Sequence, residues 1–153
     1  MSNPPPDDDI PRYRVSLRLQ GDELDPHAVS ELLDLEAETI GVKGAPRLGK
    51  NGRTYAPFKT NFWVSSREFG PALDFDDQVQ ALFATLGDRV RVLKDLCARE
   101  GIEGELFCGF FSAGRCTGDV ISPKTIQLIA DAELALNLHL YPHWNHEEIY
   151  VED

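Results

Sequence analysis

Residues Tyr13 to Gln20, YRVSLRLQ, alternate without a break. Tyr13, Val15, Leu17 and Leu19 fall on one side; Arg14, Ser16, Arg18 and Gln20, with Arg12 before them, fall on the other. A period of two belongs to an extended strand, because successive side chains of a strand point to opposite faces. Such a strand needs an apolar layer on one side and water or charged partners on the other. The chain must therefore build a sheet with one covered face and one polar face.

The rest of the chain supplies the cover. Asp25-Pro26 combines an N-cap with a first-turn proline and opens a short helix whose apolar face is Val29, Leu32 and Leu33, ending near Leu35. A Gly- and Pro-punctuated segment from Thr39 to Pro57 leads to the strand-like FKTNFWVSS, in which Trp63 reads as a core anchor. In FDDQVQALFATLGDRVRVLKDLCAREG the apolar positions are Phe75, Val79, Leu82, Leu86, Val90, Leu93 and Cys97. Steps of three or four predict one long amphipathic helix, or two hinged near Gly87, with Gly101 as the stop. ELFCGFFS is apolar on both faces and belongs in the middle of a sheet. Ser122-Pro123 repeats the cap-and-proline device and opens a helix through Ile126, Ile129 and Ala130. ALNLHLY closes the chain as an alternating strand, with Leu136, Leu138 and Leu140 inward and Asn137, His139 and Tyr141 outward.

The two ends share a plan of strand, loop, cap-proline, short helix and strand. The expected fold is α+β: a mainly antiparallel sheet with helices on one face, built as a pseudo-duplicated βαβ of the ferredoxin-like kind. Residues 12–142 form the expected single domain, between an acidic, proline-rich tail (1–11) and a polar acidic tail (143–153). A chain of 153 residues buries enough surface for such a core without a metal or disulfide staple.

Charge narrows the partners. With 26 acidic and 15 basic residues, a net charge of −11 and a pI near 4.7, the surface repels phosphate backbones and anionic lipid. No run approaches the roughly 20 apolar residues of a membrane span. The opening MSNPPPDDDIP has neither the apolar core nor the positive flank of a targeting sequence. Cys97, Cys108 and Cys116 are odd in number and contain no CxxC, which suits reduced thiols in a bacterial-type cytoplasm.

The stretch GAPRLGKN, Gly44 to Asn51, matches a phosphate-binding loop up to its last letter. That loop needs a buried strand before it, a helix from the lysine onward and a hydroxyl for Mg²⁺. Here the lead-in is polar, Asn51-Gly52 and Pro57 favour a turn and extended chain, and Asn51 has no hydroxyl, so the stretch reads as a surface turn. Its charge is the stronger signal. From Thr39 to Arg67 there is no acidic residue, while Lys43, Arg47, Lys50, Arg53, Lys59 and Arg67 are all basic. An anion pocket at Arg47, Lys50, Arg53 and Lys59, with Arg14 and Arg18 at its rim, is one reading; a salt-bridged lid is the other.

The remaining candidates are weaker. His139, His143 and His146 with Glu147 and Glu148 invite a metal, but Pro142 interrupts the helix that would make the histidines converge, and no metal or other cofactor is expected. Cys116, beside Arg115 in a glycine loop, is the one plausible reactive thiol; Cys97 and Cys108 read as core. Glu103 and Glu105 share a strand side and are expected to pair with the first strand's arginines. Phe107 and Phe111 share a face of their strand and stand toward Tyr141, an aromatic row left for self-association or partner docking unless the long loop covers it.

Taken in order, SLRLQGDELDPHAVSELLDLEA, KGAPR, NFWVSS, the long leucine-rich helix and SPKTIQLIADAELALNLHLY resemble the bacterial domain-of-unknown-function family numbered 4279, over about residues 13–141. The resemblance implies no activity and carries no catalytic residue. Three functional readings follow from the residues. One is a non-enzymatic interaction module, immunity-type or regulatory, docking a basic protein or a second copy of itself through the open sheet face. Another is a small anionic-ligand binder using the basic loop; an enzyme working through Cys116 or the histidines is a third.

Overall fold

The computed structural model describes residues 12–67, 74–111 and 119–141. The first strand, β1 (Arg12–Gln20), lies at the centre of a five-stranded sheet. With β2 (Thr39–Gly41), β5 (Phe62–Arg67), β6 (Glu103–Phe111) and β7 (Ala135–Tyr141), the order is β2-β5-β1-β6-β7. A separate hairpin pairs β3 (Arg47–Leu48) with β4 (Thr54–Tyr55). Strand β1 runs antiparallel to both neighbours, setting Leu17 opposite Ser65 on β5 and Leu106 on β6. Among the described strands only β6 and β7 are parallel, with helix α4 (Pro123–Asp131) between them in sequence.

The protein is thus α+β with a mostly antiparallel, mixed sheet. Of the two strand–helix–strand units, the second closes as a parallel crossover; in the first, β1 and β5 are antiparallel neighbours. The antiparallel β1–β6 pair at the centre also differs from a duplicated βαβ plan, in which the two central strands run parallel. The similarity of the two ends is one of element order, not of strand direction.

Helices α1 (Pro26–Leu33), α2 (Phe75–Leu86), α3 (Val90–Cys97) and α4 share one core with the apolar side of the sheet. Val29 and Leu33 come from α1, Val79, Leu82 and Leu86 from α2, Leu93 and Leu96 from α3, and Ile129 from α4. They meet Val15, Leu17, Leu19, Trp63, Leu106 and Cys108 from the strands. Trp63 is fully buried, and its indole N–H donates to Ser30 Oγ at 2.9 Å, which satisfies the one polar atom of a large anchor.

Caps place the helices. Asp25 accepts from His27 N, Asp74 from Asp77 N and Ser122 from Thr125 N, each removing an orphan donor from a first turn. The long apolar stripe breaks where glycine permits it: Gly87 has φ +54° and ψ −125°, a backbone that disfavours any side chain, and a short 3₁₀ turn at Gly87–Arg89 re-aims α3. Helix α3 stops at Cys97, before Gly101. Gly104 is needed for closeness: a Cβ there would lie 2.3 Å from Cys97 Sγ. Asp76 joins two helices at their starts. One carboxylate oxygen accepts from Ser122 N at 2.7 Å and the other from Gln80 Nε2 at 2.9 Å. Burial acts to raise its pKa, but those hydrogen bonds outweigh it and hold the carboxyl below its usual value.

Some expected core positions are not covered. Leu32 and Ile126 are exposed, with Thr125 buried on α4 instead. Leu136, Leu138 and Leu140 do face the helical side, yet β7 is the edge strand and they remain 37%, 54% and 71% exposed. Leu17, at 0% exposure between two strands and the helices, makes the opposite prediction. Leu17→Ala should lower unfolding free energy by about 2–5 kcal/mol in denaturant titration, the cost of a buried cavity; a loss below about 1 kcal/mol would contradict its central position.

Candidate functional site

Among the described residues no helix covers the polar face of the sheet. Register sets its rows: Arg18 lies between Val64 and Glu105, Ser16 between Ser66 and Phe107, and Arg14 beside Gly109. Across β6, Phe107 pairs with Asn137, Gly109 with His139 and Phe111 with Tyr141. Arg14 and Tyr141 therefore emerge on one surface, with only β6 between their strands.

A layer of planar groups covers the middle of that surface. The Arg18 guanidinium carbon sits 3.8 Å from the Phe107 ring centroid, and His139 lies 4.5 Å from the same ring. Phe111 and Tyr141 stack at 4.6 Å with their planes 6° apart. Phe107 is consequently buried, at 7% exposure, and forms a floor; Arg18, His139 and Tyr141 are what a partner would meet. The aromatic row expected to be wet is largely paved by its neighbours. Cation–π and stacking contacts of this kind each contribute about 0.5–1.5 kcal/mol beyond area burial.

Carboxylates hold the arginines in place. Arg14 reaches Glu38 at 2.6 Å and Arg18 reaches Glu105 at 3.7 Å, while Asn137 also donates to Glu105. Of the two glutamates expected to pair with the first strand's arginines, Glu105 does so with Arg18, while Glu103 accepts instead from Gln20 Nε2 at 3.3 Å. Each arginine has a buried Nε with no acceptor among the described residues. Beneath the face, Ser16 and Ser66 share a 2.7 Å hydroxyl contact.

The basic segment folds as the β3–β4 hairpin, and Gly49 to Gly52 make its turn where a phosphate loop would start a helix. Arg47 lies over the rings of Tyr55 and Phe58, at 5.9 and 5.1 Å. Phe58 packs edge-on against Phe62 at 4.9 Å, and Phe62 projects from the open face opposite Gln20. The hairpin thus leans on the rim of that face. Lys43 is tied to Asp22 at 2.8 Å, whereas Lys50, Arg53 and Lys59 are exposed and have no ion-pair partner among the described residues. Arg14 and Arg18, placed at the rim of an anion pocket by the sequence reading, spend their charge on Glu38 and Glu105.

On the helical side a small apolar cavity of about 160 Å³ opens between Tyr13, Phe75, Phe110, Ile121, Leu138 and Leu140. Cys108 lines it and, like Cys97, is a free thiol; burial pushes both upward, Cys97 to about 11. Cys116, His143 and His146 lie outside the described residues. Among the described residues no group of three or more His, Cys, Asp and Glu side chains is placed to hold a metal, and no helix is long and apolar enough to cross a membrane.

These features define a class: an α+β protein whose sheet is armoured on one side and presents an ordered, planar layer on the other. A family model described as a domain of unknown function, DUF4279, matches residues 11–143, and the chain belongs to that family. No curated protein and no solved structure matches the chain.

Tyr13 provides a titration signature for this arrangement. Burial, then a hydrogen bond to Asp119 and the charges of Asp119 and Asp74, push its phenol from 10.0 up to about 12. The folded value lies above the unfolded one, so the associated stability is present below pH 10 and lost as pH rises through 12. Phenolate absorbance should show a late step near pH 12 that Tyr13→Phe removes; ionisation of Tyr13 at its ordinary value of 10.0 would contradict the arrangement.

Proposed function

We propose that this protein is a non-enzymatic recognition module, of immunity or regulatory type, that docks a basic protein on the open face of its sheet. The observation that carries the reading is the pre-ordered layer of Arg18 over Phe107, His139 beside it and Phe111 stacked on Tyr141. Arginine and aromatic side chains dominate interface energetics, and groups already stacked lose little entropy on binding. Charge chooses the partner: the net charge is −11, all 26 acidic residues lie outside Thr39–Arg67, and Glu38, Glu103 and Glu105 border the layer. A cationic partner is steered toward such a surface, and its own cations can compete for Glu38 and Glu105.

A binary titration with a purified partner tests this. The partner should have an alkaline pI, and its affinity should fall with salt. The Phe111→Ala/Tyr141→Ala double variant, still folded by circular dichroism, should bind at least about tenfold more weakly. A partner that binds the double variant as tightly as the wild type, or one that is acidic, would refute the reading.

A second reading rests on a separate observation: Lys50 and Arg53 in the hairpin and Lys59 beyond it are exposed and have no ion-pair partner among the described residues. If they hold a small anion, sulfate should raise the melting temperature and Arg53→Ala should abolish the rise. No rise with sulfate removes this reading and leaves the first untouched.

A further inference from the structure

The two edges of the sheet are built differently. At one end β2 is three residues long, a blunted edge of the kind that resists pairing with other chains. At the other end β7 offers seven residues, ALNLHLY, with no lysine, arginine, aspartate, glutamate or proline among them. Its inner side pairs with β6, and among the described residues nothing pairs with its outer side. An unpaired strand edge is a row of backbone donors and acceptors at full hydrogen-bonding strength. On its helical side the same strand exposes three leucines in succession, Leu136, Leu138 and Leu140, the last at 71%.

We infer that β7 is the contact of a two-fold homodimer, in which two copies pair β7 to β7 antiparallel and extend the sheet from one molecule into the other. The strand is self-complementary in the way that symmetry demands. A two-fold axis normal to the sheet preserves its faces, so residues opposite each other must share a side. Centring the axis on Leu138 uses all seven residues: Leu138 faces Leu138, Leu136 faces Leu140, Asn137 faces His139 and Ala135 faces Tyr141. All six leucines then form one apolar row on the helical side. No like charges meet, which is a demanding condition for two copies of a chain at −11. The axis passes through a strand free of formally charged residues, whereas the open face carries Glu38, Glu103 and Glu105 and would set carboxylates against each other.

The row also closes an unfinished part of the core. Leu138 and Leu140 are the outer wall of the cavity that Tyr13, Phe75, Phe110 and Ile121 line. In the centred register the partner's Leu136 lies across from Leu140 and caps that wall. The contact leaves Arg14 and Arg18 uncovered, while His139 and Tyr141 of the same layer flank the seam on the open side; the dimer is read by its mass and the docking reading by partner affinity, so the two fail separately. If both hold, the two open faces form one continuous surface with a layer from each copy.

Light scattering coupled to size exclusion, run on the full chain across a concentration series, reads the proposal directly. The wild type should approach twice its 17.1 kDa as concentration rises. Leu138→Lys places two ammonium groups at the axis and should stay at 17.1 kDa with an unchanged far-ultraviolet spectrum. Leu140→Lys, at a position 71% exposed in the single copy, should weaken the dimer without affecting the fold and covers the case in which Leu138→Lys does not fold. Oxidation should convert Leu138→Cys to a reducible covalent dimer faster than His139→Cys, because only residue 138 faces its own copy. A wild type that remains at 17.1 kDa, a dimer that survives both lysine variants, or faster cross-linking at residue 139 would overturn the inference, the first indicating that the edge is covered by the chain itself or by another protein.

Discussion

The two-sided pairing of β1 is the constraint on which everything else in this molecule hangs. It pairs with β5 over Val15–Gln20 and with β6 over its whole length, and it divides the structure into a dry side and a wet side. Val15, Leu17 and Leu19 sit at 2% exposure or below under the helices. Arg14 and Arg18, their immediate neighbours in sequence, stand on the opposite face. A slip of one residue in either pairing would drive arginines into the core and leucines into water, a penalty of many kcal/mol, so the register is strongly specified.

From that register the open face follows. Because Ser16 is opposite Phe107 and Arg18 opposite Glu105, the guanidinium of Arg18 is offered both an ion partner and a ring to lie on. The exposed ion pairs contribute little stability of their own, typically 0–1 kcal/mol each. Their role is orientation: they keep flat groups flat. Among the described residues Arg14 Nε and Arg18 Nε are buried without an acceptor, so this orientation is not the arrangement that would maximise hydrogen bonding.

What could be read in the chain beforehand was what local chemistry decides. The alternation in YRVSLRLQ, the caps at Asp25 and Ser122 with their prolines, and the hinge at Gly87 are each encoded within a few residues, and each stands where the pattern put it. The turn in GAPRLGKN was legible for the same reason. The mainly antiparallel character of the sheet was legible, but the directions within each strand–helix–strand unit were not: β1 and β5 pair antiparallel while β6 and β7 pair parallel, a difference set by pairing between distant parts of the chain. The three short strands β2, β3 and β4 were hidden in a segment that reads only as glycines and prolines. Leu138 and Leu140 were assigned inward correctly in direction but not in burial, since an edge position is a property of the whole sheet. Phe107 was legible as part of the site, yet its cover of Arg18 and His139 required two neighbouring strands in register. Asp76, which ties α2 to α4, had no motif to announce it.

Native-state hydrogen exchange on the backbone amides of β1 tests the central claim most directly. With both edges paired and one side sealed, the amides that bond across to β5 and β6 between Val15 and Leu19 should exchange only through global unfolding, slower than those of β2 and of either short hairpin strand. Exchange of these β1 amides at the rate of β2, by local opening far below the global unfolding free energy, would show that this strand does not organise the sheet.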